Sequence, residues 1–365
     1  MYALFSTIAR ESSMPHSRWM IYGANGYTGR LIAEEAVRRG MRPVLAGRNR
    51  RAIEALAAEL GCDGRVFRLG KPRRTAEQLM GLAAVLHCAG PFSATGEPMM
   101  DACLAAGTDY LDITGEIPVI EAAASRHDAA KRMDLCIIPA VGFDVVPSDC
   151  LAAQLAGRLP GATLLQLAFS TPQHISPGTA KTIVQGLPHG GRVRTDGRIT
   201  RVPIAWKSRE VPFRGGPREA VTVPWGDVAS AWYTTAIPNI EVYVSLPGDK
   251  IEQLRKGRGM LWLLRVWPIR AFVNRTIQKH LKGPTAEQRE SGRASFWGRA
   301  SDAHGGSVEA TLETPEGYRL TVATALASMD RVLSRGAPSG FLTPAQAFGA
   351  DFILDMPDVD FRWEP

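Results

Sequence analysis

The chain has 365 residues, 45% hydrophobic and 22% charged, and at roughly 150 residues per domain this length implies two domains. The composition excludes collagen-like, coiled-coil and mainly disordered classes. Lys plus Arg number 43 against 36 Asp plus Glu, a formal charge of +7, which suits an anionic ligand or surface; no nucleic-acid-binding motif accompanies it.

The opening MYALFSTIARESSMPH has one Arg and a broken apolar run, so it reads as neither a signal peptide nor a membrane span. Met14 stands just before the first strand, and residues 1–13 read as a tail or as an upstream start. From there strand-like and helix-like segments alternate. Strands are expected at Arg18–Tyr22, Pro43–Ala46, Arg65–Leu69, Ala84–Cys88, Tyr110–Ile113 and Asp134–Pro139. Helices are expected at Tyr27–Arg39, Arg51–Leu60, Thr75–Leu82, Glu97–Ala106 and Ile117–Lys131. Several strands are short apolar runs, as when helices cover both faces of a sheet. The alternation predicts an α/β Rossmann domain, a doubly wound parallel sheet, over 14–150.

Beyond 150 the texture changes. Extended stretches are expected at Thr163–Ser170, Ile199–Trp206, Glu219–Val223, Ile240–Leu246, Ser307–Thr314 and Tyr318–Ala323, and all of the tryptophans but Trp19 lie here. Residues 151–323 thus read as a second, mixed α/β domain with a largely antiparallel sheet, serving substrate binding or dimerisation. His189–Arg218 carries eight Lys or Arg and two acids and reads as a loop, either solvated or a lid over an anionic ligand. In Gly257–Lys282 the side chains of Trp262, Val266, Ile269, Val273, Ile277 and Leu281 follow helical spacing. Pro268 should kink the segment or start a new helix, and Arg265 and Arg270 make it too charged to span a bilayer. It fits a core or dimer-interface helix, or one that meets a membrane surface or a lipid-like substrate. Thr321–Arg335 and Thr343–Leu354 read as helices, the latter with Thr343 as cap and Pro344 at the first helical position. Asp355–Pro365 reads as a tail or strand.

The strongest chemical signal is Gly23-Ala24-Asn25-Gly26-Tyr27-Thr28-Gly29, between the first strand and first helix. A pyrophosphate needs backbone N–H donors at close range; Gly23 permits the turn, Gly26 the approach and Gly29 the helix–strand packing. At the end of the second strand stand Gly47, Arg48 and Asn49, where NAD sites place a carboxylate. Arg48 can pair a 2′-phosphate that a carboxylate would repel, so the expected cofactor is NADP(H). Cys88, Ala89, Gly90 and Pro91 end the fourth strand and offer small residues to the nicotinamide side. Tyr110, Asp112, Glu116 and Asp144, at later strand ends, are candidates for proton donation or substrate orientation, with capping or turn formation the alternative for each. Asp149 reads as a helix residue or cap. Five cysteines, none in CxxC, argue against a disulfide framework or zinc site and for a reducing, cytoplasmic setting; Cys88 reads as a buried thiol.

GANGYTG, LAGR, HCAGPF with TGEPMMDACLAAGTDYLDITGE, and PAVGFDVVPSD resemble the saccharopine dehydrogenase-like oxidoreductases, in particular the branch called trans-acting enoyl reductases. The resemblance is dense over 20–150 and weaker beyond, with support at Gly340–Pro344. It implies NADP(H)-dependent hydride transfer and a C-terminal segment, about 324–365, packed back on the Rossmann domain. It also implies that Gly23, Gly26 and Gly29 hold pyrophosphate, Arg48 the 2′-phosphate and Cys88–Pro91 the nicotinamide side. The leading expectation is an NADPH-dependent reductase of an activated double bond, such as an acyl- or lipid-linked enoyl substrate, with the proton coming from water or Tyr110. The alternatives are an imine reductase or secondary-amine dehydrogenase of saccharopine type, and a non-catalytic NADP-binding membrane-associated scaffold.

Overall fold

The computed structural model describes residues 18–171 and 175–365; the N-terminal stretch through Met14 lies outside them. The first half of the chain runs β1 (Trp19–Tyr22), α1 (Tyr27–Arg38), β2 (Val44–Gly47), α2 (Arg50–Leu60), β3 (Gly64–Val66), α3 (Pro72–Glu77), β4 (Ala84–His87), α4 (Phe92–Ala106), β5 (Asp109–Asp112), α5 (Ile117–Ala124), α6 (His127–Arg132), β6 (Cys136–Ile138) and α7 (Val146–Arg158). The second half runs β7 (Leu164–Ser170), α8 (Pro177–Gly186), β8 (Gly191–Thr195), β9 (Arg198–Val202), β10 (Ser208–Phe213), β11 (Gly216–Thr222), α9 (Asp227–Thr235), β12 (Asn239–Ser245), α10 (Gly248–Lys256), α11 (Trp267–His280), α12 (Ala286–Ser291), β13 (Arg293–Ser301), β14 (Ser307–Pro315), α13 (Gly317–Leu333), β15 (Gly340–Phe341), α14 (Pro344–Phe348) and β16 (Asp360–Trp363).

Seven strands form a parallel sheet in the order β15-β6-β5-β4-β1-β2-β3. The strands of β1, β2 and β4 are buried along their whole length, which is why they read as apolar runs rather than alternating ones. The order reverses at β1, so the carboxyl ends of β1 and β4 open the crevice where such sheets bind ligands. Helix α13 completes a helical layer: Ala325, Leu326 and Met329 pack with Ile21, Ile32, Leu45 and Leu86.

The second sheet has nine strands, seven of them in the order β10-β11-β12-β7-β13-β14-β16, with β8 on β12 and β9 on β8. Only β7 and β12 run parallel; their neighbours are antiparallel. Helix α7 bridges the two sheets, and Gly298 of β13 lets it settle close: a Cβ there would stand 2.6 Å from Leu155 Cδ1. One apolar cluster runs from Met20 and Tyr22 through Leu151 and Leu155 to Leu167, Val242 and Phe296, so the two sheets share a core.

Several expectations are corrected. Ile117–Lys131 is two helices, broken at Ser125 and Arg126. Tyr318–Ala323 is helical, because Glu316 caps the backbone N–H groups of Tyr318 and Arg319. His189–Arg218 is two antiparallel hairpins, not a loop. Gly257–Lys282 is not one helix in the core but a 3₁₀ segment, Gly257–Arg265, and then α11, started at Pro268 as one of the two expectations had it, with no buried residue in either. The chain end beyond 355 pairs with the second sheet through Ala310 and Trp363, while β15 joins the first.

Candidate active-site cleft

The glycine turn is built by contacts that leave no room for side chains. Gly23 takes φ +89°, and a Cβ on it would meet Ala89 N at 2.8 Å; one on Gly29 would overlap Gly23 O at 2.3 Å. Gly23 N–H and Ala24 N–H both donate to Ala46 O, at 2.8 and 3.1 Å, and Gly26 N–H closes the turn on Gly23 O at 2.9 Å. Gly26 caps α1 with extended backbone and no side-chain cap. The first α1 backbone bond is from Arg30 N–H to Gly26 O, so the N–H groups of Tyr27, Thr28 and Gly29 project from the helix start. That is the donor set a pyrophosphate requires, and the cradle is one that a Cβ at either glycine would fill.

Asn25 Oδ1 lies over the end of β2, where a Cβ on Gly47 would come within 2.9 Å of it. Arg48 is exposed beside it, and its charge lowers the Tyr22 phenol, which burial raises overall. No carboxylate occupies this strand end. Two of the expected cofactor residues have other partners. Asn49 Oδ1 accepts Ala52 N–H at 3.3 Å and so caps α2. The Tyr27 side chain turns toward the other domain, donating to Pro284 O at 2.6 Å and receiving from Arg289 Nη1 at 2.9 Å.

The segment after β4 is held from beneath. Thr95 Oγ1 donates to Ala89 O at 2.6 Å and lies 3.0 Å from His87 Nε2. His87 is fully buried, and desolvation holds its imidazole down to about 3, so it is neutral. Burial also pushes the Cys88 thiol up, which fits a packed thiol rather than a nucleophile.

The four acid–base candidates separate. Tyr110 is fully buried and donates to Asp112 Oδ2 at 2.6 Å; Asp112 Oδ1 accepts Thr114 N–H and Ala140 N–H, at 2.9 and 2.8 Å. This pair ties the loops after β5 and β6 together, and Tyr110 lies in the core rather than facing the cleft. Glu116 accepts Phe92 N–H at 2.8 Å and Ser93 N–H at 3.0 Å, one on each oxygen, and thereby caps α4. Asp144 is different. It lies over Gly115, where a Cβ would come within 2.7 Å of its Oδ2, and no hydrogen bond reaches its carboxyl among the described residues. Burial, with the Glu116 charge second, pushes it up to about 7. Asp149 is a cap, accepting Ala345 N–H at 2.9 Å and Thr234 Oγ1–H at 2.6 Å.

Among solved structures, that of saccharopine dehydrogenase (L-Glu forming) from Saccharomyces cerevisiae superposes with a TM-score of 0.64, covering 96% of this chain and 100% of that one at 10% identity; the likeness is one of fold. Residues 19–136 match the family model for the saccharopine dehydrogenase NADP binding domain. Over this segment the chain is similar to the NADP-binding domain of saccharopine dehydrogenases. A saccharopine dehydrogenase-like oxidoreductase of Bos taurus is 28% identical over 214 residues, 51% of this chain and 50% of that protein. A Mycobacterium tuberculosis protein provisionally named a trans-acting enoyl reductase is 37% identical over 157 residues, 39% of this chain and 36% of its own length. The chain thus spans about half, or less, of these relatives.

The second region brings residues to the mouth of the NADP-binding domain that the sequence did not single out. Trp225 Nε1 donates to Asp144 O at 2.6 Å, and its ring packs on Phe169 at 4.6 Å. Tyr318 stacks edge-on to Tyr27 at 4.9 Å and accepts Ser176 N–H at 2.7 Å. Burial raises its phenol, hydrogen bonds from Ser176 and Thr179 oppose this, and the Asp144 charge adds to the rise. Thr321 Oγ1 accepts Phe143 N–H at 3.0 Å and fixes the loop that carries Asp144. Their separation from the glycine turn by about 150 to 300 positions in the chain left no local pattern to find. Among the described residues no cluster could hold a metal ion, and no helix is long and apolar enough to cross a membrane.

Proposed function

We propose that the protein is an NADPH-dependent oxidoreductase that reduces an activated double bond, with an enoyl thioester or lipid-linked enoyl compound as substrate. The observation that carries this reading is Asp144, a partly buried carboxyl pushed up to about 7 that no hydrogen bond reaches among the described residues, and whose charge is felt by Tyr318, the ring stacked on Tyr27 of the glycine turn. In this reading residues 18–150 hold the cofactor and 151–323 supply the substrate face. Bound in the cradle, the reduced dinucleotide supplies a hydride.

The chain's own residues do the rest. The N–H groups of Tyr27, Thr28 and Gly29 take the pyrophosphate, and Arg48 pairs the 2′-phosphate. Trp225 and Thr321 fix the backbone on which Asp144 rides. Asp144, protonated in part at neutral pH, gives its proton to the carbon next to the carbonyl after hydride has reached the β-carbon, and is reprotonated from water. The aromatic group Phe143, Phe169, Trp225 and Phe296 reaches the backbone of Asp144 through Trp225 Nε1 and suits an apolar substrate better than a charged one.

A second reading, reduction of an imine, draws on Arg218, whose Nη1 donates to Ser170 Oγ at 2.7 Å and which could pair a substrate carboxylate. NADPH oxidation with enoyl thioesters and with imino acids, measured for the native chain and for Arg218→Ala, separates the two. Turnover of enoyl compounds that survives Arg218→Ala supports the first reading. Turnover of imines alone, abolished by that change, supports the second.

A further inference from the structure

Six of the eleven exposed large hydrophobic side chains among the described residues fall between Met260 and Phe272. Met260 is 68% exposed, Trp262 58%, Trp267 70% and Phe272 71%, with Val266 and Ile269 at 40% and 38%. Scattered apolar side chains need no explanation, but a patch with several aromatic members does. The patch is firmly seated. Leu261 packs with the cluster of Ile204, Ala205, Val221 and Ile251, and Arg258 Nε donates to Ile204 O at 2.7 Å. Lys181 of α8 bonds Gln278 of α11. Pro268, in the first turn of α11, ends the 3₁₀ segment and starts the helix, so the aromatic side chains stand on the bend between the two.

The charge around the patch has one sign. Between Glu252 and Glu287 there are eight Lys or Arg and no Asp or Glu. The turn that leads into β8 adjoins this field: Arg265 Nη2 donates to Pro188 O at 2.9 Å. After burial, the charges of Arg265, Arg192, Arg201 and Arg270 together hold the neighbouring His189 imidazole low. A two-fold contact with a second copy would set this positive surface against itself. Aromatic side chains amid basic ones match a surface that is apolar within and anionic at its boundary.

We propose that residues 257–282 dock the protein on an anionic lipid bilayer, with Trp262, Trp267 and Phe272 entering the boundary between headgroups and acyl chains and Arg265, Arg270 and Arg275 meeting lipid phosphates. The inference stands apart from the redox reading and needs no turnover. Its consequence for the cleft is geometric: α8, on which α11 rests, carries Gln185, whose Nε2 donates to Ser93 Oγ at 3.1 Å at the start of α4.

The test is cosedimentation of the full chain with phosphatidylglycerol-containing vesicles and with pure phosphatidylcholine vesicles, together with tryptophan emission. The native chain should partition onto the anionic vesicles with a blue-shifted emission, and less at high salt. Trp262→Ala/Trp267→Ala/Phe272→Ala should lower that partition at least about tenfold. Each of Arg265→Gln and Arg270→Gln should lower it about fivefold. Because these aromatic side chains are exposed, circular dichroism and Tm should stay native, which verifies that the variants fold. No partition by the native chain, or equal partition by the folded triple variant, overturns the proposal. So does a native dimer that the triple variant splits without any vesicle binding, which would make the patch a contact between copies.

Discussion

Tyr110 donates its phenolic O–H to Asp112 Oδ2, two residues along the same strand, at 2.6 Å and wholly inside the protein. The Asp112 carboxyl is pushed up to about 6 by burial, against the hydrogen bonds from Tyr110, Ala140 and Thr114. The pair therefore stabilises the strand ends rather than serving the reaction. Tyr110→Phe leaves Asp112 Oδ2 without its donor and should cost about 1–3 kcal/mol in chemical denaturation, with kcat close to native. Asp112→Ala strands the donors of Tyr110, Thr114 and Ala140 and should cost about 3–5 kcal/mol. A collapse of kcat in Tyr110→Phe at native stability would contradict this assignment.

Glu116 holds the start of α4 through Phe92 and Ser93, where a negative charge also meets the positive end of the helix dipole. Glu116→Gln keeps one acceptor and loses the charge, and should cost about 0.5–2 kcal/mol by thermal or chemical unfolding. The same change removes the charge that raises Asp144, so the Asp144 titration, followed by NMR of the labelled carboxyl, should move to lower pH. An Asp144 titration that stays put would show that Glu116 does not face it.

Asp144 has a folded pKa of about 7 against an ordinary 3.8. Its neutral form is therefore favoured by folding, and its contribution to stability falls as pH rises from about 4 to about 7. Asp144→Asn should be more stable than the native chain above pH 7 by about 1–2 kcal/mol, reduced from the full linkage value because the group is only half-buried. As the proton donor it should make kcat fall as pH rises through about 7, and Asp144→Asn should remove that limb and lower kcat about a hundredfold. An unchanged pH profile in Asp144→Asn would assign the proton to another group.

The sequence marked the nucleotide domain well because its signals are local. A buried strand, a turn that only glycine can make at Gly23, and a helix opened without a side-chain cap occupy consecutive residues. Gly61 and Gly107 likewise end α2 and α4 with φ of +61° and +70°, the left-handed turn that glycine favours just past a helix. The beginning of α4 was misplaced because its cap, Glu116, comes 24 residues later. The helix at Tyr318 was read as a strand because its β-branched residues outweighed the single capping Glu316. Arg192, Arg194, Arg198 and Arg201 made a hairpin look like a solvated loop, although Arg194 is buried, bonded to Val228 O and Gly197 O. The four expected acid–base residues all lie in or just after strands β5 and β6, and only their contacts separate Glu116, a cap, and the buried Tyr110–Asp112 pair from Asp144.

In the proposed reaction the glycine turn cradles a phosphorylated dinucleotide, recognised by Arg48 at the end of β2. Calorimetric titration of NADPH and NADH into the native chain and into Arg48→Ala tests it most directly. The native chain should prefer NADPH, and Arg48→Ala should lose about 10- to 100-fold in NADPH affinity while NADH binding stays the same. No binding of either dinucleotide, or equal affinity for both that is indifferent to Arg48, would contradict it.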